Sequence, residues 1–124
     1  MVQQEVLERI ADSKVRVFFV WTPVLREDDR YSAVKAIANL TDERALHFWD
    51  PDKSLGMSLG EAVVLPRGRE LAWDVYFVFD SRSQWTDLPP NPAEWMHQLG
   101  IDDRTLDGGR LRIAVENLLK SVER

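Results

Sequence analysis

Cysteine is missing altogether from the 124 residues, and that absence removes more chemistry than any residue present supplies. Without it there are no disulfides, thiolate nucleophiles, thiol redox couples, cysteine-ligated zinc or iron–sulfur clusters. Clustered cations are missing too. With 16 Lys and Arg against 21 Asp and Glu, and a formal charge of -5, no basic run exists to grip a phosphate backbone or an anionic lipid surface. Neither nucleic acid nor membrane is expected as a partner. No apolar stretch reaches the ~18 residues of a membrane span, and Val2-Gln3-Gln4-Glu5 lacks the basic-then-apolar order of a signal peptide, so a cytoplasmic location is expected. Gly-rich phosphate loops are also absent, and Gly108-Gly109 reads only as a turn before a helix. With no internal repeat, low-complexity tract or composition shift, residues 1–124 read as one domain.

What is present is the composition of an ordinary folded domain, 44% hydrophobic and 10% aromatic against 30% charged. Val2, Val6, Leu7 and Ile10 predict a short amphipathic helix over residues 3–11. Val15 to Trp21 is a β-branched and aromatic run suited to a strand covered on both faces. Thr22-Pro23 ends it, and a helix follows to about residue 39, with Tyr31, Val34, Ile37 and Ala38 on one face. Arg44 to Trp49 reads as a second strand, parallel to the first through a right-handed crossover. Asp50 as cap and Pro51 as first helical residue open a third helix bearing Leu55, Leu59 and Val63, its regularity lowered by Gly56 and Gly60. Pro66-Arg67-Gly68-Arg69 is a polar loop. Trp73 to Phe79 is a third strand, with a weaker one at Ser83 to Thr86 returning beside it as a hairpin. After Pro89 to Pro92, the capping pattern of Asn91, Pro92 and Glu94 predicts a helix through Trp95-Met96-His97-Gln98 to Leu99, stopped by Gly100. Leu111, Val115, Leu118, Leu119 and Val122 trace a final amphipathic helix.

This order of elements predicts an α/β sandwich with a mixed sheet. The strand ending in Trp21, followed by Thr22-Pro23-Val24-Leu25 at a helix entry, resembles the strand-to-helix turn of thioredoxin-like proteins. There a tryptophan precedes Cys-x-x-Cys. The strand ending in Trp49-Asp50-Pro51-Asp52, the third strand and the helix opening at Gly108-Gly109-Arg110-Leu111 are similar to later elements of the same superfamily, so that the resemblance spans roughly residues 3 to 123. It implies a three-layer α/β/α sandwich around a mainly four-stranded sheet. Thr22 and Leu25 stand where the thiols would be, and Leu71-Ala72-Trp73-Asp74 lacks the proline that precedes the family's hairpin strand. Thiol–disulfide exchange is excluded, because attack requires sulfur.

On that sheet, Trp21-Thr22-Pro23, Trp49-Asp50 and Trp73-Asp74 would meet at one edge, forming an aromatic-walled pocket with a polar floor and with His97 placed across its mouth. The expected ligand-binding residues are therefore Trp21, Thr22, Pro23, Trp49, Asp50, Trp73, Asp74 and His97. The competing structural reading makes the tryptophans caps on the core and Asp50 a helix cap. Asp50, Asp52 and Asp74 with His47 or His97 lack the spacing of a metal site, and His47 and Asp50 point to opposite faces of a strand. Neither a metal nor a cofactor is expected, and no residue is assigned as catalytic. The expected function is a redox-inactive, non-covalent binding or interaction module for a protein or a small molecule. The alternative is a small carboxylate- or metal-dependent enzyme using Asp50, Asp74 and a histidine. A homodimer through the aromatic 95–99 helix is a third reading.

Overall fold

A computed structural model describes residues 2–23 and 42–122. The helix expected between Pro23 and residue 39 lies outside them, as does Leu25. Strand β1 (Val17–Trp21) pairs in parallel with β2 (Ala45–Trp49), with Val17 opposite Ala45 and Trp21 opposite Trp49. The alternation of the strand pleat separates two faces. Phe18, Leu46 and Phe48 are exposed on one, the two phenyl rings stacked at 6.0 Å, whereas Phe19, Trp21, His47 and Trp49 are half-buried on the other.

A second ladder stands apart from the first. Strand β3 (Val75–Val78) runs antiparallel to β4 (Glu94–His97), pairing Phe77 with Trp95 and Tyr76 with Met96. Among the described residues no ladder joins the two pairs. The expected three-layer sandwich around a mainly four-stranded mixed sheet is therefore overturned: the described residues build two short two-stranded sheets. Two local causes are visible. Residues 83–86, the expected fourth strand, follow a turn in which the Asp80 carboxylate holds the Arg82 guanidinium at 2.8 Å and Ser83 N–H reaches the Asp80 carbonyl at 2.9 Å. The partner that β3 takes instead is the segment expected to be a helix. Trp95, Met96 and His97 are all buried, which a strand covered on both faces achieves and an exposed two-turn helix does not.

Helix α1 (Ser54–Glu61) starts three residues later than its Pro51 signal, because Lys53 adopts left-handed backbone at φ 64°. The glycines of α1 have a packing role. A Cβ on Gly60 would lie 1.8 Å from the Glu70 carbonyl oxygen, and one on Gly56 would lie 2.7 Å from Leu71 Cδ1. Two glycines one helical turn apart thus admit the backbone of residues 70–72 against the helix. Ala72 N–H donates to the Gly56 carbonyl at 3.0 Å there.

Helix α2 (Gly108–Val122) follows its predicted apolar stripe. The N-terminal segment is shorter than expected and forms a π-helical turn, Gln3–Leu7, closed by Glu8 N–H on the Gln3 carbonyl at 2.9 Å. Val6 of this turn, Ile10 just after it, Val15, Val78 of β3, Met96 of β4 and Leu111 of α2 form the buried core. Val115, Leu118 and Leu119 of α2 pack against it. No helix among the described residues is long and apolar enough to cross a membrane.

Candidate functional site

Trp21 and Trp49 end adjacent strands as register partners, and the next residue, Asp50, donates its N–H to the Trp21 carbonyl at 2.8 Å. Thr22 and Pro23 follow Trp21 in half-buried, irregular backbone. These five residues form one corner. The Trp21 indole N–H donates to His47 Nδ1 at 3.2 Å, and its ring stacks along Phe19 and His47 at 6.3 and 6.1 Å. Among the described residues no ring contact joins the indoles of residues 21, 49 and 73.

The Asp50 carboxylate is 6% exposed and is turned toward α1. It accepts the backbone N–H of Gly56 at 3.0 Å and of Leu55 at 3.4 Å, and the Ser54 hydroxyl at 3.4 Å. Asp52 takes the remaining first-turn donor, Ser54 N–H, at 3.1 Å, and hydrogen bonds from Ser54 hold its carboxyl below the usual range. Together the two carboxylates satisfy donors that a helix start otherwise leaves open.

Trp73 and Asp74 precede β3, and the residue before them, Ala72, donates its N–H to the Gly56 carbonyl of α1. Trp73 is half-buried. Asp74 is exposed, with left-handed backbone at φ 54°, and its carbonyl accepts Gln98 N–H at 2.9 Å. Burial, with a smaller contribution from the Asp74 charge, pushes the Tyr76 hydroxyl above its ordinary pKa. Among the described residues no three histidine, aspartate or glutamate side chains gather as a metal-binding group.

His97 belongs to a different arrangement, and here the structure supplies what sequence reasoning missed. It is fully buried on β4, with Nε2 at 2.9 and 3.0 Å from the two Asp102 carboxylate oxygens. Nδ1 accepts Leu99 N–H at 3.1 Å. An accepting Nδ1 places the proton of a neutral imidazole on Nε2, which therefore donates to Asp102. Asp102 also takes Arg104 N–H at 2.7 Å, and its own N–H donates to the Thr105 hydroxyl at 2.8 Å. The His97 main chain donates to the Arg104 carbonyl at 2.9 Å and accepts Leu106 N–H at 2.8 Å. A ten-residue return, 98–107, is thereby wound around one imidazole.

Beside it opens a cleft of about 840 Å³, walled by Val64 to Gly68 on one side and by Trp95, His97 and Asp102 to Arg104 on the other. A smaller hollow of about 360 Å³ shares Trp95 and Arg104 and continues past Ala62, Val63 and Asn91 to Glu94. The Arg104 guanidinium lies 4.5 Å from the Trp95 ring centroid, a cation–π distance, and bonds Glu94 Oε1 at 3.1 Å and the Trp95 carbonyl at 3.0 Å. Of the expected site residues only His97 lines this cleft.

The facing lip is a tight turn. Arg67 and Gly68 both have positive φ, 58° and 68°, and Arg69 N–H closes on the Pro66 carbonyl at 3.3 Å. This is a turn of the I′ kind, for which Asn-Gly is the favoured pair. An arginine there costs about 1 kcal/mol of backbone strain. Arg67-Gly68 was the one sequence signal for this geometry. No family model matches the chain, and comparison with curated proteins and with solved structures finds no match.

Proposed function

We propose that the protein is a non-covalent binding module without thiol chemistry, and that its binding surface is the cleft between the 64–68 segment and the Trp95–Arg104 wall. The observation that carries this reading is the commitment of His97. Both ring nitrogens are engaged inside the fold, and so are both oxygens of Asp102, so this pair is committed to holding the 98–107 return rather than to acid–base work. The wall does offer the surfaces that hold ligands by contact: a large indole, a stacked guanidinium and the apolar segment Val64-Leu65-Pro66. The volume falls within the range of ~300–1,000 Å³ typical of small-molecule and cofactor sites. Asp50, a carboxylate of the alternative enzymatic reading, is occupied as a helix cap.

A fragment library screened by protein-observed NMR tests this. Bound fragments are expected to shift the Trp95 indole and the amides of Arg67 and Arg104 together. Hits confined to the Trp21–Trp49 corner, or a hydrolytic turnover abolished in His97→Gln, would overturn it.

A further inference from the structure

The two nitrogens of the His97 ring respond differently to a proton. Nδ1 accepts the Leu99 N–H at 3.1 Å, which it can do only while it carries no hydrogen of its own. Nε2 donates to Asp102 at 2.9 and 3.0 Å in the neutral ring, and donates more strongly in the charged one, where both partners are ionised. Because Nε2 already holds the proton of the neutral ring, an incoming proton has one place to go, Nδ1. There it meets the Leu99 N–H donor against donor, at a residue with no exposed surface. Leu99 is itself buried and sits between two fixed points of the chain, Gln98 N–H on the Asp74 carbonyl at 2.9 Å and the Gly100 carbonyl under the Thr105 hydroxyl at 3.0 Å. Asp102 lies further along the return with ties of its own, to Arg104 N–H and the Thr105 hydroxyl.

We propose that His97 is a proton-operated latch on the 98–107 return: the neutral ring closes it at both Leu99 and Asp102, and the protonated ring releases the Leu99 amide while tightening on Asp102. The charged groups around the ring are disposed for this. Asp102 faces it directly and supplies the counter-charge that an imidazolium needs when buried. Arg104 stands one ring away, over the Trp95 indole whose centroid is 6.0 Å from the imidazole, and is itself paired with Glu94. From β3 the register partner is Val75, which carries no charge, and from α2 Arg110 donates to the Asp103 carbonyl at 3.1 Å. Arg67 and Asp103 line the same cleft. Resting on that cleft as the binding surface, the latch also sets its charge: Asp102 lines the wall, and an imidazolium beside it cancels the negative charge that a neutral ring leaves standing.

The test is an NMR titration of the intact, isotope-labelled protein from neutral to acid pH with no ligand added, following the His97 ring and the amide hydrogen exchange of residues 98–106. The ring is expected to start with its proton on Nε2. As it charges, the Leu99 amide should lose about tenfold in protection, corrected for the intrinsic pH dependence of exchange and with the midpoint of the ring itself. The amides of Arg104 and Leu106, bonded to the Asp102 carboxylate and the His97 carbonyl, should keep theirs. In Asp102→Asn the side chain still accepts from Nε2 but brings no charge, so the same release should come at lower pH. A ring that stays neutral down to global unfolding, or one that charges while Leu99 keeps its protection, overturns the latch, and the parent titration decides this whether or not the variant folds. Release at the parent's midpoint in Asp102→Asn overturns the part assigned to the carboxylate. Since no ligand is present, the latch can fail while fragment shifts at Trp95 uphold the cleft reading, and the cleft reading can fail with the latch intact.

Discussion

Asp50 is where one residue had two chemical readings, an acid in a pocket or a cap on a helix, and its hydrogen bonds decide between them. Its carboxylate takes the Leu55 and Gly56 N–H groups from outside the helix start, with Lys53 in left-handed backbone between. Losing such a cap typically costs ~1 kcal/mol and up to 2. Asp50→Ala should therefore lower the urea midpoint by an amount equivalent to about 1–2 kcal/mol, with an unchanged denaturant slope. An unaltered midpoint would show that the first turn of α1 is satisfied without it. A capping role for Asp50 was legible in advance, but Pro51 lies in the turn before α1 and is not its first residue. The bonds of His97 were not legible. Its partner Asp102 sits on a return whose path is dictated by β4, so the pair exists only once the strand does.

Among the elements, β1, β2 and β3 could be read because each is a short apolar run rich in aromatic residues and bounded by proline or aspartate. The first two pair in parallel, as expected. Strand β4 could not. Asn91-Pro92 and Glu94 imitate a helix start, and four residues are too few for periodicity to object. What outweighs the cap signal is burial: Met96 and His97 are fully enclosed between the β3 ladder, α2 and the 98–107 return. Helix α1 shows the converse, a local penalty accepted for packing. By intrinsic propensity Gly60→Ala should stabilise the helix by about 1 kcal/mol. The Glu70 carbonyl, 1.8 Å from where the new Cβ would lie, reverses the sign. Backbone cannot yield as a side-chain tip can, so overpacking of about 1–3 kcal/mol or more is expected. A lowered thermal midpoint for Gly60→Ala, and none for Glu61→Ala on the exposed side, checks it; a raised midpoint at residue 60 would refute the close approach.

For the molecule as a whole, the question is what ties the N-terminal turn to a sheet it does not belong to. Arg44, at the start of β2, reaches back across the chain: its guanidinium donates to the carbonyls of Leu7 at 2.6 Å and Asp12 at 3.1 Å, and to that of Ile10. Asp42 holds the same guanidinium at 2.9 and 3.0 Å, and this hydrogen bonding draws the Asp42 carboxyl down to about 2. The Arg82 guanidinium does the same to Asp80, also to about 2, within the turn after β3. A carboxyl whose folded pKa lies below its unfolded value contributes stability that is fully present above the unfolded value and lost as pH falls through the folded one. For Asp42 that window runs from the ordinary 3.8 down to about 2. Protonation there releases the partner that orients Arg44, loosening the N-terminal turn and the Val6–Ile10 part of the core with it. Urea midpoints measured across this window should fall steeply for the parent and less steeply for Asp42→Asn, which starts lower at neutral pH because the ion pair is already gone. Asp80→Asn should flatten the same limb without affecting hydrogen-exchange protection in residues 6–10, since among the described residues Arg82 bonds only within its own turn. If the two variants lose protection in residues 6–10 alike, Arg44 is not the brace between the turn and β2, and the core closes without it.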